Sequence, residues 1–163
     1  QLWINMPAKL KKSKPEYFYI KSNQVGIHKD NEKVVKTIAG KFERATGPQI
    51  NHNVEPIYLH IVLNEGKEFN YKIPNGHNSF LYLLKGELKI GKKEHNKTGN
   101  SNLILLERGD KITVKANKKT EFLFIAGKPI GEPIARGGPF VMNTKTEILE
   151  AIQEYNDGRF AKY

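Results

Sequence analysis

Residues 55–66 read EPIYLHIVLNEG, and their alternation constrains the fold more than any other stretch. In an extended chain Ile57, Leu59, Ile61 and Leu63 fall on one face, and Tyr58, His60 and Val62 on the other. The second face is only half polar, as expected of a strand covered on both sides. Similar short runs recur, separated by turn residues. EKVVKTIAGKFERATGP (32–48) predicts a strand or bent hairpin, with Gly40 as a bulge and Gly47-Pro48 as a stop. FNYKIP adds a short strand before a turn at Pro74-Asn75-Gly76. NSFLYLLKGELKIGKKE (78–94) predicts a hairpin turning at Lys85-Gly86, its second strand running through Leu88 and Ile90. LILLERGDKITVKAN predicts two strands around Gly109-Asp110, and TEFLFIAGKPIGEPI one buried strand with a Gly/Pro-rich exit. Seven or more short strands at this spacing indicate an all-β sandwich or small barrel.

One segment, near the C-terminus, reads as helix. Thr144 is a good N-cap and Glu147, three residues on, completes a capping box. Ile148, Ala151, Ile152 and Tyr155 repeat at helical spacing on one face, and Gly158 stands where a left-handed cap ends a helix. The helix therefore has one apolar stripe to bury, with Phe140 and Met142 anchoring the approach to it.

With 163 residues and a mean hydropathy of −0.58, the chain suits one soluble domain with a sizeable core. No window approaches the ~20 apolar residues of a membrane helix, and no signal peptide is visible. Without cysteine there is no disulfide framework, thiolate nucleophile or cysteine-held metal. A cytoplasmic setting is the simplest expectation.

The net charge of +10 invites a nucleic-acid reading. Only four of the 27 cations are arginine (Arg44, Arg108, Arg136, Arg159), and the lysines are dispersed. Base-edge readout favours arginine, so the charge reads as a solvated basic surface with no specific nucleic-acid partner. The chain opens QLWINMP without an initiator methionine, and Leu2, Trp3 and Ile4 look ready to be buried. Tyr17, Phe18 and Tyr19 follow a lysine-rich connector and are expected to pack rather than to form a base-stacking platform.

Catalytic signals are thin. The five histidines, at 28, 52, 60, 77 and 95, form no His-x-His pair, the arrangement that would aim two imidazoles at one ion from a strand. There is no Gly-x-Ser-x-Gly elbow, and no glycine-rich phosphate loop opens the helix. His77 reads as a turn residue beside Gly76, satisfied by backbone or water, and His60 as a strand residue with a hydrogen-bond partner in the barrel.

GKPIGEPIARGGPFVMNTKTEILEAIQEYNDGRF (127–160) resembles the C-terminal signature of the pirin family, within the cupin superfamily, most specifically at GPFVMNT (138–144). QLWINMPAKLKKSKPEYFYI resembles the link between the two pirin domains, and IPNGHNSFLYLLKGELKIG the cupin hairpin. The resemblance implies an all-β, cupin-type antiparallel sandwich or small barrel with one C-terminal α-helix. It divides the chain into an N-terminal strand and interdomain-type linker (1–24), a cupin domain (25–136), and a GPFVMNT segment with its helix (137–163). It matches only the C-terminal half of a pirin. In that family the metal, usually iron, sits in an N-terminal cupin, on three His and a Glu absent from this chain.

His77 falls in the region of the first cupin motif, with Ser79 where a second His would be useful, and the late strand offers Glu121. His60, His77, Ser79 and Glu121 thus form the candidate pocket or degenerate cupin site, with no catalytic residue and no metal ligand assigned. The implied function is a non-catalytic cupin half acting as a structural and interaction module. The alternative is part of an iron-dependent quercetin 2,3-dioxygenase whose catalytic cupin lies elsewhere. Expected partners are the missing N-terminal cupin or another protein chain, met through Trp3, Ile148, Ile152 and Tyr155. A homo-oligomer is a further expectation, and no membrane partner is.

Overall fold

The structure, a computed structural model, describes residues 2–48, 53–91 and 97–160. Its contacts divide the chain into two compact units, Ile20–Pro129, and Gln1–Tyr19 together with Ile130–Tyr163.

The first unit holds β1 (Gly26–Lys29), β2 (Lys33–Ala39), β3 (Lys41–Phe42), β4 (Ala45–Thr46), β5 (Ile57–Leu63) and β6 (Glu68–Lys72). It continues with β7 (Asn78–Lys85), β8 (Leu88–Ile90), β9 (Lys97–Thr98), β10 (Asn102–Leu105), β11 (Lys111–Ala116) and β12 (Thr120–Gly127). An antiparallel six-stranded sheet runs β1-β2-β5-β12-β7-β10, and a four-stranded sheet β6-β11-β8-β9. The alternation read from EPIYLHIVLNEG holds: Ile57, Leu59, Ile61 and Leu63 are buried, and Tyr58, His60 and Val62 are half-buried on the other face. The bulge expected at Gly40 falls earlier, where the β2–β5 register shifts between Thr37 and Ala39, and Gly40 instead turns the chain. Its φ of 79° ends β2, and the chain returns through the small β3–β4 hairpin, where Gly47 N–H donates to the Gly40 carbonyl at 3.0 Å.

The expected hairpin over 78–94 is not one. β7 already pairs with β12 on one edge and β10 on the other, so it has no free edge for β8. The chain instead crosses to the four-stranded sheet at Gly86, whose φ is 100° and whose N–H donates to Asn100 Oδ1 at 2.6 Å. Glu87 N–H donates to the buried Thr120 hydroxyl oxygen at 3.0 Å, fixing the crossing. β10 and β11, around Gly109-Asp110, likewise lie in different sheets.

Between the sheets lies a closed aromatic core. Phe69, Phe122 and Phe124 have no exposed surface, and Phe42 is 5% exposed. The Phe69 ring centroid is 5.5 Å from that of Phe42 and 5.7 Å from that of Phe122, the latter edge to face. Tyr71 packs alongside at 5.1 Å from Phe124, and its hydroxyl donates to the Lys41 carbonyl at 2.9 Å. Such offset and edge-on pairs add to the stabilisation from burial alone.

The second unit holds β13 (Ala135–Gly137), β14 (Phe140–Met142) and α1 (Lys145–Asn156). The helix has the termini the sequence predicts. Asn143 and Thr144 N–H groups donate to Glu147 Oε2 at 2.8 and 2.7 Å, and Glu147 N–H donates to Thr144 Oγ1 at 3.2 Å. Gly158, with φ 65°, follows the helix in the left-handed region.

The apolar stripe is half covered within its own unit. Ile148 and Ala151 are buried with Phe140 and Met142. Ile148 sits so close over Gly137 that a Cβ there would collide with its Cγ2. Ile148 is therefore unavailable as an interaction residue, whereas Ile152 (36%) and Tyr155 (65%) stay exposed. Tyr17, Phe18 and Tyr19 do not pack within this chain, since all three are at least 70% exposed.

Glu147 carries a testable pH signature. The N–H groups of Thr144 and Asn143 hold its carboxyl below the ordinary value of 4.5. Its contribution to the helix start is full above pH 4.5 and is lost as pH falls through the depressed value. The amide proton shifts of Asn143 and Thr144 should titrate below pH 4.5 and stop titrating in Glu147→Gln. A midpoint at or above 4.5 would contradict the capping geometry.

Candidate functional site

The four candidate site residues separate into two pairs. His60 and Glu121 sit on neighbouring strands of the six-stranded sheet, and His60 Nε2 is 2.6 Å from Glu121 Oε1. A carboxylate only accepts, so Nε2 carries the proton. Register places both on the outer face: Leu123 lies opposite His60 and Val62 opposite Glu121, and all four are on the half-buried side of their strands. The expected hydrogen-bond partner of His60 is therefore real, but it lies outside the sandwich.

Ser79 occupies the opposite, inward face of the same sheet, opposite Ala126, and is 8% exposed. His77 precedes β7, is 7% exposed, and has Nε2 3.3 Å from the Glu55 carbonyl oxygen. That carbonyl also only accepts, so in the neutral ring Nδ1 is an acceptor, and it is buried without a partner. The sheet thus stands between Ser79 and the His60–Glu121 pair. Ser79 therefore cannot be activated by that imidazole, because nucleophile and base must share a hydrogen bond.

His28 is held elsewhere, beside Asp30 at 3.1 Å and edge to face with Phe42. His52 and His95 lie outside the described residues. Among the described residues, no group of three or more His, Cys, Asp or Glu could hold a metal ion.

The interior is mostly filled by apolar side chains. Inward positions on β5, β6, β7 and β12 include Leu59, Ile61, Phe69, Leu81, Leu83, Phe122 and Phe124, all without exposed surface, with Ser79 and Thr120 at the strand ends. Thr37 adds a further inward hydroxyl, buried and without a partner. None of these side chains is a good ligand for a transition metal.

The outward face of the six-stranded sheet was half legible in the sequence. In register, Tyr58, Ile125, Phe80 and Leu105 form one row across β5, β12, β7 and β10. Lys36, His60, Leu123, Tyr82 and Leu103 form the next, starting on β2. Leu103 and Leu105 are 58% and 76% exposed. The signal for this face was the apolar second parity of each strand, but which residues adjoin across strands required the register. In the second unit Trp3 is 66% exposed, with Leu2 and Ile4 exposed beside it in sequence.

Two antiparallel sheets closed over an apolar interior, with one C-terminal helix, define a cupin-type sandwich. A crystal structure of a quercetin 2,3-dioxygenase from Acinetobacter baumannii superposes with a TM-score of 0.87 at 29% identity, over 97% of this chain and 55% of that one. The chain belongs to the pirin family: the pirin C-terminal cupin domain matches residues 58–161. A pirin-like protein of Solanum lycopersicum is 35% identical over 98% of the chain, and human pirin 32% identical over 98%. The chain spans between 55% and 64% of the length of the first curated relatives it matches. No helix among the described residues is long and apolar enough to cross a membrane.

Proposed function

We propose that this chain is the non-catalytic cupin half of a pirin-like protein, a scaffold and interaction module for a second cupin domain. The observation that carries the reading is the interior, where Phe69, Phe122 and Phe124 fill the space a metal centre would need. Iron, which the family resemblance puts in an upstream cupin, does not suit the donors here. His77 offers one buried nitrogen and belongs to no group of three or more potential ligands among the described residues, and the His60–Glu121 pair faces the other way. Supplied with ferrous iron and quercetin, the chain should consume oxygen no faster than iron and quercetin alone. Turnover that disappears in His77→Ala would contradict the reading.

The alternative, a piece of an iron-dependent quercetin 2,3-dioxygenase, is favoured by one observation, the name and fold of the Acinetobacter protein. On either reading the partner is another cupin domain or protein chain, and the exposed apolar side chains of the sheet and of the terminal unit are what it would cover. Left bare, such surface favours self-association. Light scattering should therefore show concentration-dependent dimers, weakened in Ile152→Asp. A monomer at high concentration, with Trp3 emission unchanged on dilution, would remove this part of the proposal.

A further inference from the structure

Lysines that look dispersed in the sequence are gathered by the register of the four-stranded sheet. On β11 the outward positions are Lys111, Thr113 and Lys115, and on β6 they are Glu68, Asn70 and Lys72, because Ile112, Val114 and Phe69 take the buried parity. Lys111 stands opposite Lys72, and Lys115 stands between Glu68 on β6 and Lys89 on β8. Lys97 of β9 comes next in that row, opposite Lys89. Like charges directly opposite one another destabilise a sheet, yet both rows of this face contain them. A face shaped by folding alone would alternate the signs. None of Lys72, Lys89, Lys111 and Lys115 takes part in an ion pair among the described residues. Other lysines hold the nearest competitors: Asp30 and Glu32 pair with Lys33, Glu55 with Lys128 and Glu87 with Lys118. The turn before β11 adds Glu107, Arg108 and Asp110, and the two rows and this turn together hold six cations and three carboxylates.

The chemistry of the face limits its partner. Its outward positions carry no aromatic ring, which a single-strand stacking platform needs, and no apolar side chain to enter the headgroup boundary of a bilayer. Between the two rows lies a neutral strip, where the Thr113 hydroxyl donates to Asn70 Oδ1 at 2.7 Å. Lys111 and Lys115, four residues apart on one strand, set the rows about 13 Å apart. That is close to the ~12 Å width of the B-DNA major groove, which has phosphates along both sides. Lysine supplies charge there without the planar fork by which arginine reads bases. Exposed lysines suffice for such a partner, because the gain comes from releasing counterions condensed on the phosphates. We infer that the outward face of the four-stranded sheet binds the phosphate backbone of a DNA duplex without reading its sequence. The inference is independent of the scaffold reading, and the face belongs to the other sheet from the one that carries His60 and Glu121.

The test titrates the whole chain into two fluorescein-labelled duplexes of unrelated sequence, followed by anisotropy between about 50 and 200 mM salt. Both duplexes should bind alike, and with four phosphates engaged the log–log slope of affinity against salt should be about −3.6. Lys89→Gln/Lys115→Gln should reduce the size of that slope by about 1.8. Its melting temperature should stay the same or rise, since a like-charge pair is removed. Lys72→Gln/Lys111→Gln, at exposed positions, should reduce the slope equally. Lys36→Gln/Lys85→Gln makes the same charge change at exposed positions of the six-stranded sheet and should leave the slope unchanged. No binding at the lowest salt, or equal losses in all three double variants, would overturn the proposal. A single strand of equal length bound more tightly than the duplex, or a strong preference between the duplexes, would overturn the assignment to a duplex backbone. Phosphatidylserine vesicles bound more tightly than the duplexes, through the same lysines, would assign the face to a membrane instead.

Discussion

Phe69→Ala should destabilise the cupin unit by about 3–5 kcal/mol, the range for emptying a buried aromatic site. The side chain has no exposed surface, and its ring lies within 6.4 Å of those of Phe42, Tyr71, Phe122 and Phe124. Removing it forfeits the transfer free energy of the ring, and the surrounding rings cannot collapse fully because both sheets hold them in place. In a chain of 163 residues each kcal/mol corresponds to roughly 2–4 °C in Tm. Urea unfolding monitored by far-UV circular dichroism should show the lower midpoint with little change in slope. A cost under about 1 kcal/mol would mean that the interior is loose enough to admit a ligand, which would undermine the scaffold reading as well as the packing.

Gly86→Val is expected to have the second large effect. At φ 100° a β-branched residue is strained, by about 1–3 kcal/mol. The position is also filled: a Cβ would collide with Thr120 Oγ1 and come within 2.7 Å of the Lys119 carbonyl oxygen. Overpacking of this kind costs a further 1–3 kcal/mol or so, since the nearest obstacle besides the hydroxyl is backbone. Because Thr120 Oγ1 also accepts from Glu87 N–H, displacing it loosens the passage from β7 to β8. Gly76→Ala is the control. Its φ is 79°, but nothing lies within 4 Å of the added Cβ, so only the backbone strain of about 1–2 kcal/mol remains. If the two variants melted together, packing at the crossing would not matter as described.

These two positions also show what the sequence could convey. The inward parity of β5 was legible in EPIYLHIVLNEG because a strand's period is fixed by its own geometry. The α1 caps were legible because the donors of a helix start must be satisfied within four residues. The crossing at Gly86 was not, since Lys-Gly after an apolar run serves a hairpin and a change of sheet equally well. What decided it was that both edges of β7 were already taken, by β12 and by the distant β10.

The candidate site failed for a related reason. His60, Ser79 and Glu121 each had a readable parity within their own strand. Only the register between strands places Leu123 opposite His60 and Ala126 opposite Ser79, and so puts Ser79 on the other face from the pair. For Tyr17, Phe18 and Tyr19 composition says that aromatics pack, and not against what; they do not pack within this chain.

The central claim is that this cupin holds no iron centre of its own, and iron stoichiometry tests it most directly. The purified chain would be loaded with ferrous iron under anaerobic conditions, desalted, and analysed for bound metal alongside His77→Ala. The account predicts far less than one iron per chain, with no difference between the two proteins. A full equivalent of iron in the unmodified chain that is lost in His77→Ala would contradict it.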